Sequence, residues 1–445
     1  MHAVSDTSPD ELRHRTDPRA EFAPRSFADM APGPQPPAAV RIHAYSARVR
    51  RAERARGRGP ATRFKAALKA PARAARVALQ AVRKFGHDTR AHDGTSVLRQ
   101  FAWMWWLSLR YDYPVRTVYR HRMFSRDRAL PMPLFLTGDD AKLLFTTVIS
   151  RTDRAAAETL ADKRRFAVWC AGQGLPTPQI LAEFEGGRVT RRAVAEGAAP
   201  AADLFAKWGT QFGGDSTQRW RHEDGRYVDD DGRARSFDEI VELLAERSRG
   251  GVVILQPRLV NHEALRPLSP RALSTIRVMT TRRPGETPRF LAGLLRMGTG
   301  NATADNFAQG GIASVADRDT GTLGEARRVD KQHRTYVYQT HPDTGARIVG
   351  FQVPRWQESV RLALEAHQRL GNIPVVGWDV AVLPDGPVLL EGNWNPCVKL
   401  LQVVTQTPLL ATEFAGAYAA WLETPACAVD DETLLRQKAW TPAPT

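Results

Sequence analysis

Cysteine is scarce in this chain of 445 residues, which has only Cys170, Cys397 and Cys427. Three are too few for a disulfide framework and lack metal-ligand spacing, so a reducing compartment fits. Long apolar runs are missing as well. The longest candidate, Phe101 to Leu107, falls far short of the roughly 18–20 residues that span a bilayer. The opening residues lack the basic-then-apolar pattern of a secretory leader, so the expected location is cytoplasmic. No fixed period recurs along the chain, which excludes a solenoid. No Ser-His-Asp or Cys-His arrangement is recognisable, so a protein nucleophile is not expected. What remains, 42% hydrophobic and 25% charged residues, is the composition of an ordinary globular protein of two or three domains.

Acidic residues are nearly absent from one stretch. Between Arg41 and Arg90 fifteen Lys and Arg side chains face only Glu53 and Asp88, so this segment holds +13 of the chain's net +15. The rest is close to neutral, and the high isoelectric point describes an N-terminal attachment. After Pro71, Ala74, Ala78, Val82 and Phe85 recur at helical spacing with cations between them. Such a helix suits an anionic membrane surface or an acidic protein; equally, it can dock on the body as a solvated basic helix. Nucleic acid is not expected, because no interleaved aromatic stripe offers base stacking. If the stretch binds lipid, the protein sits peripherally at the inner face of the membrane.

The reading divides the chain into a disordered Pro-rich tail (1–40), a basic and aromatic helical region (41–150), α+β segments over 151–257 and 258–425, and a C-terminal tail (426–445). Trp103, Trp105 and Trp106 are expected in core or inter-domain packing. A helix is predicted over 158–172, a strand over 203–208, and a glycine-containing loop from Gly209 to Thr217. Ser236 and Glu239 have capping-box spacing and open a helix with Ile240, Leu243 and Leu244 inward. Val252–Gln256 reads as a buried strand. Further strands are predicted near 273–281, 289–297 and 310–316, with helices at 355–370 and 398–422, the latter interrupted by Pro408.

The most informative segment is Gly377-Trp-Asp-Val-Ala-Val-Leu-Pro-Asp-Gly-Pro-Val-Leu-Leu-Glu-Gly-Asn393. It reads as a hairpin with a three-residue turn at Pro384-Asp-Gly386, Gly386 taking the left-handed position. Leu383 then faces Pro387, Asp379 faces Glu391, and Asn393 follows on the face of Glu391. Opposed carboxylates repel, so two carboxylates and an amide oxygen on one spot point to a hard cation bridging substrate phosphates, Mg²⁺ or Mn²⁺. Lys207, before the glycine loop, and Lys163, in the first turn of a helix, supply cationic partners for phosphate. Arg277 in mid-strand and Arg296 at a strand end each need an anion, either a phosphate or an internal carboxylate. Asn306-Phe-Ala-Gln-Gly-Gly311 adds an amide and two glycines nearby.

In this order the pieces resemble the ATP-grasp superfamily over roughly 155–425, and the phrases Ser274-Thr-Ile-Arg277, His341-Pro…Thr-Gly345 and Val376-Gly-Trp-Asp379…Leu390-Glu-Gly-Asn393 are similar to its sugar-transfer-associated group. The resemblance implies an α+β fold in which two α+β subdomains clasp nucleotide, here preceded by the basic helical region. It implies ATP and Mg²⁺ as cofactors, with Lys163, Lys207 and the loop glycines Gly213 and Gly214 on phosphate. Leu255-Gln-Pro-Arg-Leu-Val-Asn-His-Glu263 is similar to the hinge that meets adenine through Gln256 and Leu259 and ribose through Glu263. The family usually has an acid where Gln256 stands. Arg277, Arg296 and Asn306 correspond to the catalytic stretch, and Asp379, Glu391 and Asn393 to the metal ligands. The implied activity is carboxylate–amine ligation through an acyl phosphate on a small carboxylate and amine, in the assembly of exopolysaccharide or another cell-surface sugar. Two other outcomes stay open: a kinase acting on a hydroxyl, and a non-catalytic nucleotide-sensing adaptor with a basic membrane-binding arm.

Overall fold

The computed structural model describes residues 38–55, 68–111, 113, 115–121, 124, 134–208, 217–300, 305, 307, 310–329 and 335–427. Along the chain, helices α1 (Ala38–Ala55), α2 (Ala70–Asp93), α3 (Val97–Tyr111), α4 (Val115–Arg120) and α5 (Gly138–Thr152) come first. Helices α6 (Arg154–Ala161) and α7 (Lys163–Gly172) follow. The helix predicted over 158–172 is therefore two. Asp162 breaks it, adopting an extended conformation and capping α7 through the backbone N–H groups of Arg164 and Arg165.

The first sheet contains β1 (Ala182–Glu185), β2 (Arg188–Arg192), β3 (Leu204–Trp208), β4 (Thr217–Glu223), β5 (Arg226–Asp229), β6 (Ala234–Arg235) and β7 (Val253–Pro257). Its spatial order is β2-β1-β7-β3-β4-β5-β6. Helix α8 (Phe237–Arg247) begins with the expected capping box and buries Ile240, Val241 and Leu244 among Phe184, Trp220, Tyr227 and Leu255. Leu243 only packs against the edge of that cluster.

The second sheet contains β8 (Thr275–Thr281), β9 (Arg289–Met297), β10 (Ile312–Ala316), β11 (Leu323–Val329), β12 (Thr335–Tyr338), β13 (Val375–Leu383) and β14 (Gly386–Asn393). Its order is β12-β11-β10-β9-β8-β13-β14. Helices cover both faces, which is why β8 and β13 are buried almost throughout. On one side α6, α7 and α9 (Trp356–Leu370) pack on Ile276, Val278, Leu295 and Trp378. On the other, α1, α5, α10 (Val398–Thr405) and α11 (Glu413–Leu422) pack on Met279, Leu294, Ala313 and Val375.

The boundaries expected at 41 and 150 both fall inside helices, α1 and α5. Ala39 and Ile42 belong to the same core as the second sheet, and Arg50 pairs with the fully buried Asp140. Residues 41–50 of the basic stretch are thus part of a wall of the body. The tail predicted over 1–40 lies outside the described residues up to 37, and residues 38–40 already belong to α1. The tryptophans depart from expectation in the opposite direction: Trp103, Trp105 and Trp106 remain 38%, 38% and 42% exposed.

Candidate active site between the two sheets

The hairpin β13–β14 brings Asp379 opposite Glu391, as the sequence suggests, by a different route. Leu383 pairs with Gly386, Val382 with Pro387 and Val380 with Leu389, so the turn has two residues and not three. A bulge at Leu390 then inserts the missing residue before Asp379 pairs with Glu391 and Gly377 with Asn393. Gly392, between the two polar residues, has no room for a side chain. A Cβ there would lie 2.7 Å from Leu160 Cδ2 and 3.0 Å from Trp378 Cζ3.

Asp379 is buried beside two guanidinium groups. Arg277 Nε donates to Oδ1 and Arg277 Nη2 to Oδ2 at 3.0 Å, a bidentate pair from the adjacent strand. Arg296 Nη1 stands 3.4 Å from Oδ2 and turns its Nη2 to Asp305 Oδ1 at 2.8 Å. Asp305 also accepts from the backbone N–H of Thr275 at 2.8 Å and from its hydroxyl at 2.5 Å. Burial by itself would raise the Asp379 carboxyl; the two arginines overcome it and hold the group at about 2. Burial likewise opposes the charge of Arg296, and Asp305 and Asp379 more than restore it, raising its pKa. Both arginines thus meet internal carboxylates, one of the two outcomes open from sequence.

Glu391 lies on the open side of this lattice. Asn393 Nδ2 donates to Glu391 Oε1 at 3.1 Å and to the Gly377 carbonyl at 3.3 Å. Lys207 approaches from the end of β3. Burial, reinforced by the nearby charge of Lys163, draws its ammonium down to about 8 against the pull of Glu391. Lys163 itself opens α7, so the two lysines predicted from separate segments lie within electrostatic reach of each other.

A cavity of about 530 Å³ adjoins these groups, lined by Lys207, Gln256, Pro257, Leu259, Asn261 and Leu390 among others. The hinge-like segment thus forms its wall. Asn261 fixes that wall by donating to the carbonyls of Ser269 and Ala272 at 3.1 and 2.8 Å and accepting from Ser274 N–H at 2.8 Å. Glu263 is exposed on the following turn and does not line the cavity. Gly213, Gly214 and Asn306 lie outside the described residues. Sequence reading missed Asp305, whose only local signal is its place before Asn306. It also missed Arg219, Arg258, Arg266 and Arg271, which make the cavity wall strongly cationic around Asp230.

For a divalent cation the donors are unequal. Glu391 is partly exposed and Asn393 turns its amide nitrogen to protein acceptors, which leaves amide and carboxylate oxygens that fit Mg²⁺. Asp379 gives both oxygens to guanidinium groups, although a carboxylate has about four acceptor positions. Among the described residues no three His, Cys, Asp or Glu side chains gather as a metal site. A cation held here would therefore need oxygens from a bound phosphate, the arrangement Mg²⁺ commonly takes.

Residues 148–414, more than half of the chain, match the family described as "Sugar-transfer associated ATP-grasp". No curated protein sequence matches. Among solved structures, similarity reaches an N5-carboxyaminoimidazole ribonucleotide synthetase in its ADP complex, at 13% identity over 56% of this chain and 53% of that one, with a TM-score of 0.31. This chain thus spans about half the length of that enzyme. D-alanine–D-alanine ligase from Bacillus anthracis is similar at 13% identity over 64% of this chain and 71% of that one, with a TM-score of 0.32. Biotin carboxylase from Campylobacter jejuni is similar at 11% identity over 60% of this chain and 47% of that one, also with a TM-score of 0.32. With residues 148–414 matched to its model and two α+β layers meeting at a cationic cavity, this chain belongs to the sugar-transfer associated ATP-grasp family and has the ATP-grasp fold.

Proposed function

We propose that the protein is an ATP- and Mg²⁺-dependent carboxylate–amine ligase that acts through an acyl phosphate on a sugar-linked carboxylate or another cell-surface polysaccharide precursor. What supports this reading is that Lys207, beside a cavity walled by residues 256–261, lies within electrostatic reach of both Lys163 and Glu391. Adenine and ribose fit the hinge wall through Gln256 and Leu259, and the phosphates extend toward the lysines.

A substrate carboxylate oxygen attacks the γ-phosphorus, the bond to the β–γ bridging oxygen breaks, and ADP leaves with that electron pair. The amine nitrogen then adds to the acyl carbon, inorganic phosphate leaves, and the nitrogen's surplus proton passes to solvent. Lys207 and Lys163 offset charge on the transferring phosphoryl group. Arg296, its proton firmly held between Asp305 and Asp379, supplies fixed positive potential next to Glu391. Arg277 keeps Asp379 ionised and immobile. Glu391 and Asn393 would hold Mg²⁺, which when bound neutralises phosphate oxygens and orients them. No protein nucleophile takes part.

ADP release assayed over a panel of carboxylates and amines tests the reading. Release that depends on both partners, with an amide product, is the expected result. ADP release with phosphorylation of a hydroxyl, without any amine, would replace the ligase by a kinase while keeping the nucleotide site. Absence of nucleotide binding would remove both.

A further inference from the structure

The hairpin of α2 and α3 has a sealed inner side. Ala78, Val82, Met104, Leu107, Val118 and Tyr119 form its own small core. Gly94, in the left-handed region at φ 68°, ends α2 and turns the chain into α3. The fully buried Gln100 ties the unit together, donating to the carbonyls of Gly86 and Thr95 at 3.1 and 2.8 Å and accepting from Tyr119 Oη at 3.0 Å.

The outer side is apolar a second time. Leu98, Ala102, Trp105 and Leu109 follow one another at spacings of four, three and four residues, with Trp106 beside them, on an arc of roughly 100° away from the core. Leu98 is 77% exposed and Leu109 43%. The stripe is about 16 Å long, the length of a short helix lying flat on a surface. Trp105 Nε1 donates to the Pro71 carbonyl at 3.0 Å, so the first turn of α2 lies against it. From that turn onward α2 exposes Arg73, Arg76, Arg83, Lys84 and Arg90, opposed on the same helix by Asp88 and Asp93.

We infer that the α2–α3 hairpin docks the protein on an anionic bilayer surface, with the α3 stripe entering the headgroup–acyl boundary and the α2 cations resting on lipid phosphates. Tryptophan and leucine on one face with arginines flanking it is the chemistry of an interfacial helix, not of a spanning one, and no described helix is long and apolar enough to cross a membrane. A second copy of the chain is disfavoured as occupant, because stacking two hairpins would bring their α2 cations together. The lipid-facing element is therefore α2–α3 and not the whole basic stretch, since α1 is committed to the core.

The test uses the full chain and vesicles of phosphatidylcholine, alone or mixed with phosphatidylglycerol. The expected result is co-sedimentation with the anionic vesicles, weakening as salt rises, with tryptophan emission quenched by brominated acyl chains. Arg73→Glu/Arg76→Glu/Arg83→Glu should lower partitioning by about 100-fold or more, three surface cations being removed. Leu98→Ser/Leu109→Ser should abolish quenching while leaving the melting temperature within a few degrees of the parent. No binding of the full chain to anionic vesicles would overturn the inference. So would unchanged binding by both variants, or a concentration-dependent dimer that the leucine variant dissolves, or tight binding to nucleic acid without vesicle binding.

Discussion

Arginine and tryptophan play opposite parts in two regions of this molecule. Under the second sheet, Arg277 and Arg296 are shielded from water and matched by Asp379 and Asp305, and Trp378 is sealed in the core with its Nε1 on Thr280 Oγ1 at 2.9 Å. On the α2–α3 hairpin the arginines point outward with few acids to meet them, and the tryptophans stay partly exposed. Composition is the same in kind; the partners differ. The buried Arg277 guanidinium is informative because its carboxylate, Asp379, comes from a strand about a hundred residues away, which fixes two strands and a charge together. An outward arginine fixes nothing inside the chain and is free to meet an external anion.

The comparison predicts its largest effect at Asp379. Asp379→Asn removes the charge shared by two buried arginines and should cost about 3–5 kcal/mol in urea unfolding. A loss no larger than for an exposed pair would break the contrast between the regions. The same carboxylate gives the wild type an acid signature. Its folded pKa of about 2 lies below the unfolded value near 3.9, so its contribution is complete above that value and fades as pH falls toward 2. The wild type should lose on the order of 2 kcal/mol across that window, and Asp379→Asn should lose correspondingly less.

Lys207→Ala comes next. Removal of a preorganised cation should cost about 2–4 kcal/mol of transition-state stabilisation in ATP turnover. Because the ammonium titrates near 8 before ligand binds, nucleotide affinity should decline as pH rises through that value. Lys207→Arg should flatten that decline, and an unchanged profile would place the titrating group elsewhere.

Gly392→Ala is smaller: its methyl meets Leu160 and Trp378, and overpacking there should cost about 1–3 kcal/mol of stability. Asp231→Asn, breaking the exposed pair with Arg233 at 3.1 Å, should change stability by less than about 1 kcal/mol.

Much of the second sheet could be read from sequence because apolar runs bounded by turns identify buried strands. The β9 limits coincide with those predicted, and the interruption of 398–422 at Pro408 separates α10 from α11. The Asp379–Glu391 pairing was legible for a subtler reason. A turn read one residue too long and an unseen bulge at Leu390 cancel, so the side chains keep their faces. The cavity arginines were not legible, since Arg258, Arg266 and Arg271 lie on an irregular segment without periodicity and Arg219 joins them only through packing of the first sheet. The tryptophans of α3 misled because periodicity marks an apolar face without stating whether the protein or something else covers it.

The proposed function rests on Glu391 and Lys207 serving one nucleotide-phosphate site. It is tested most directly by calorimetric titration of ATP into wild type, Glu391→Gln and Lys207→Ala, with and without Mg²⁺. Mg²⁺ should strengthen ATP binding to the wild type, Glu391→Gln should lose this strengthening, and Lys207→Ala should weaken ATP binding in either condition. Equal Mg²⁺ enhancement in wild type and Glu391→Gln would contradict it.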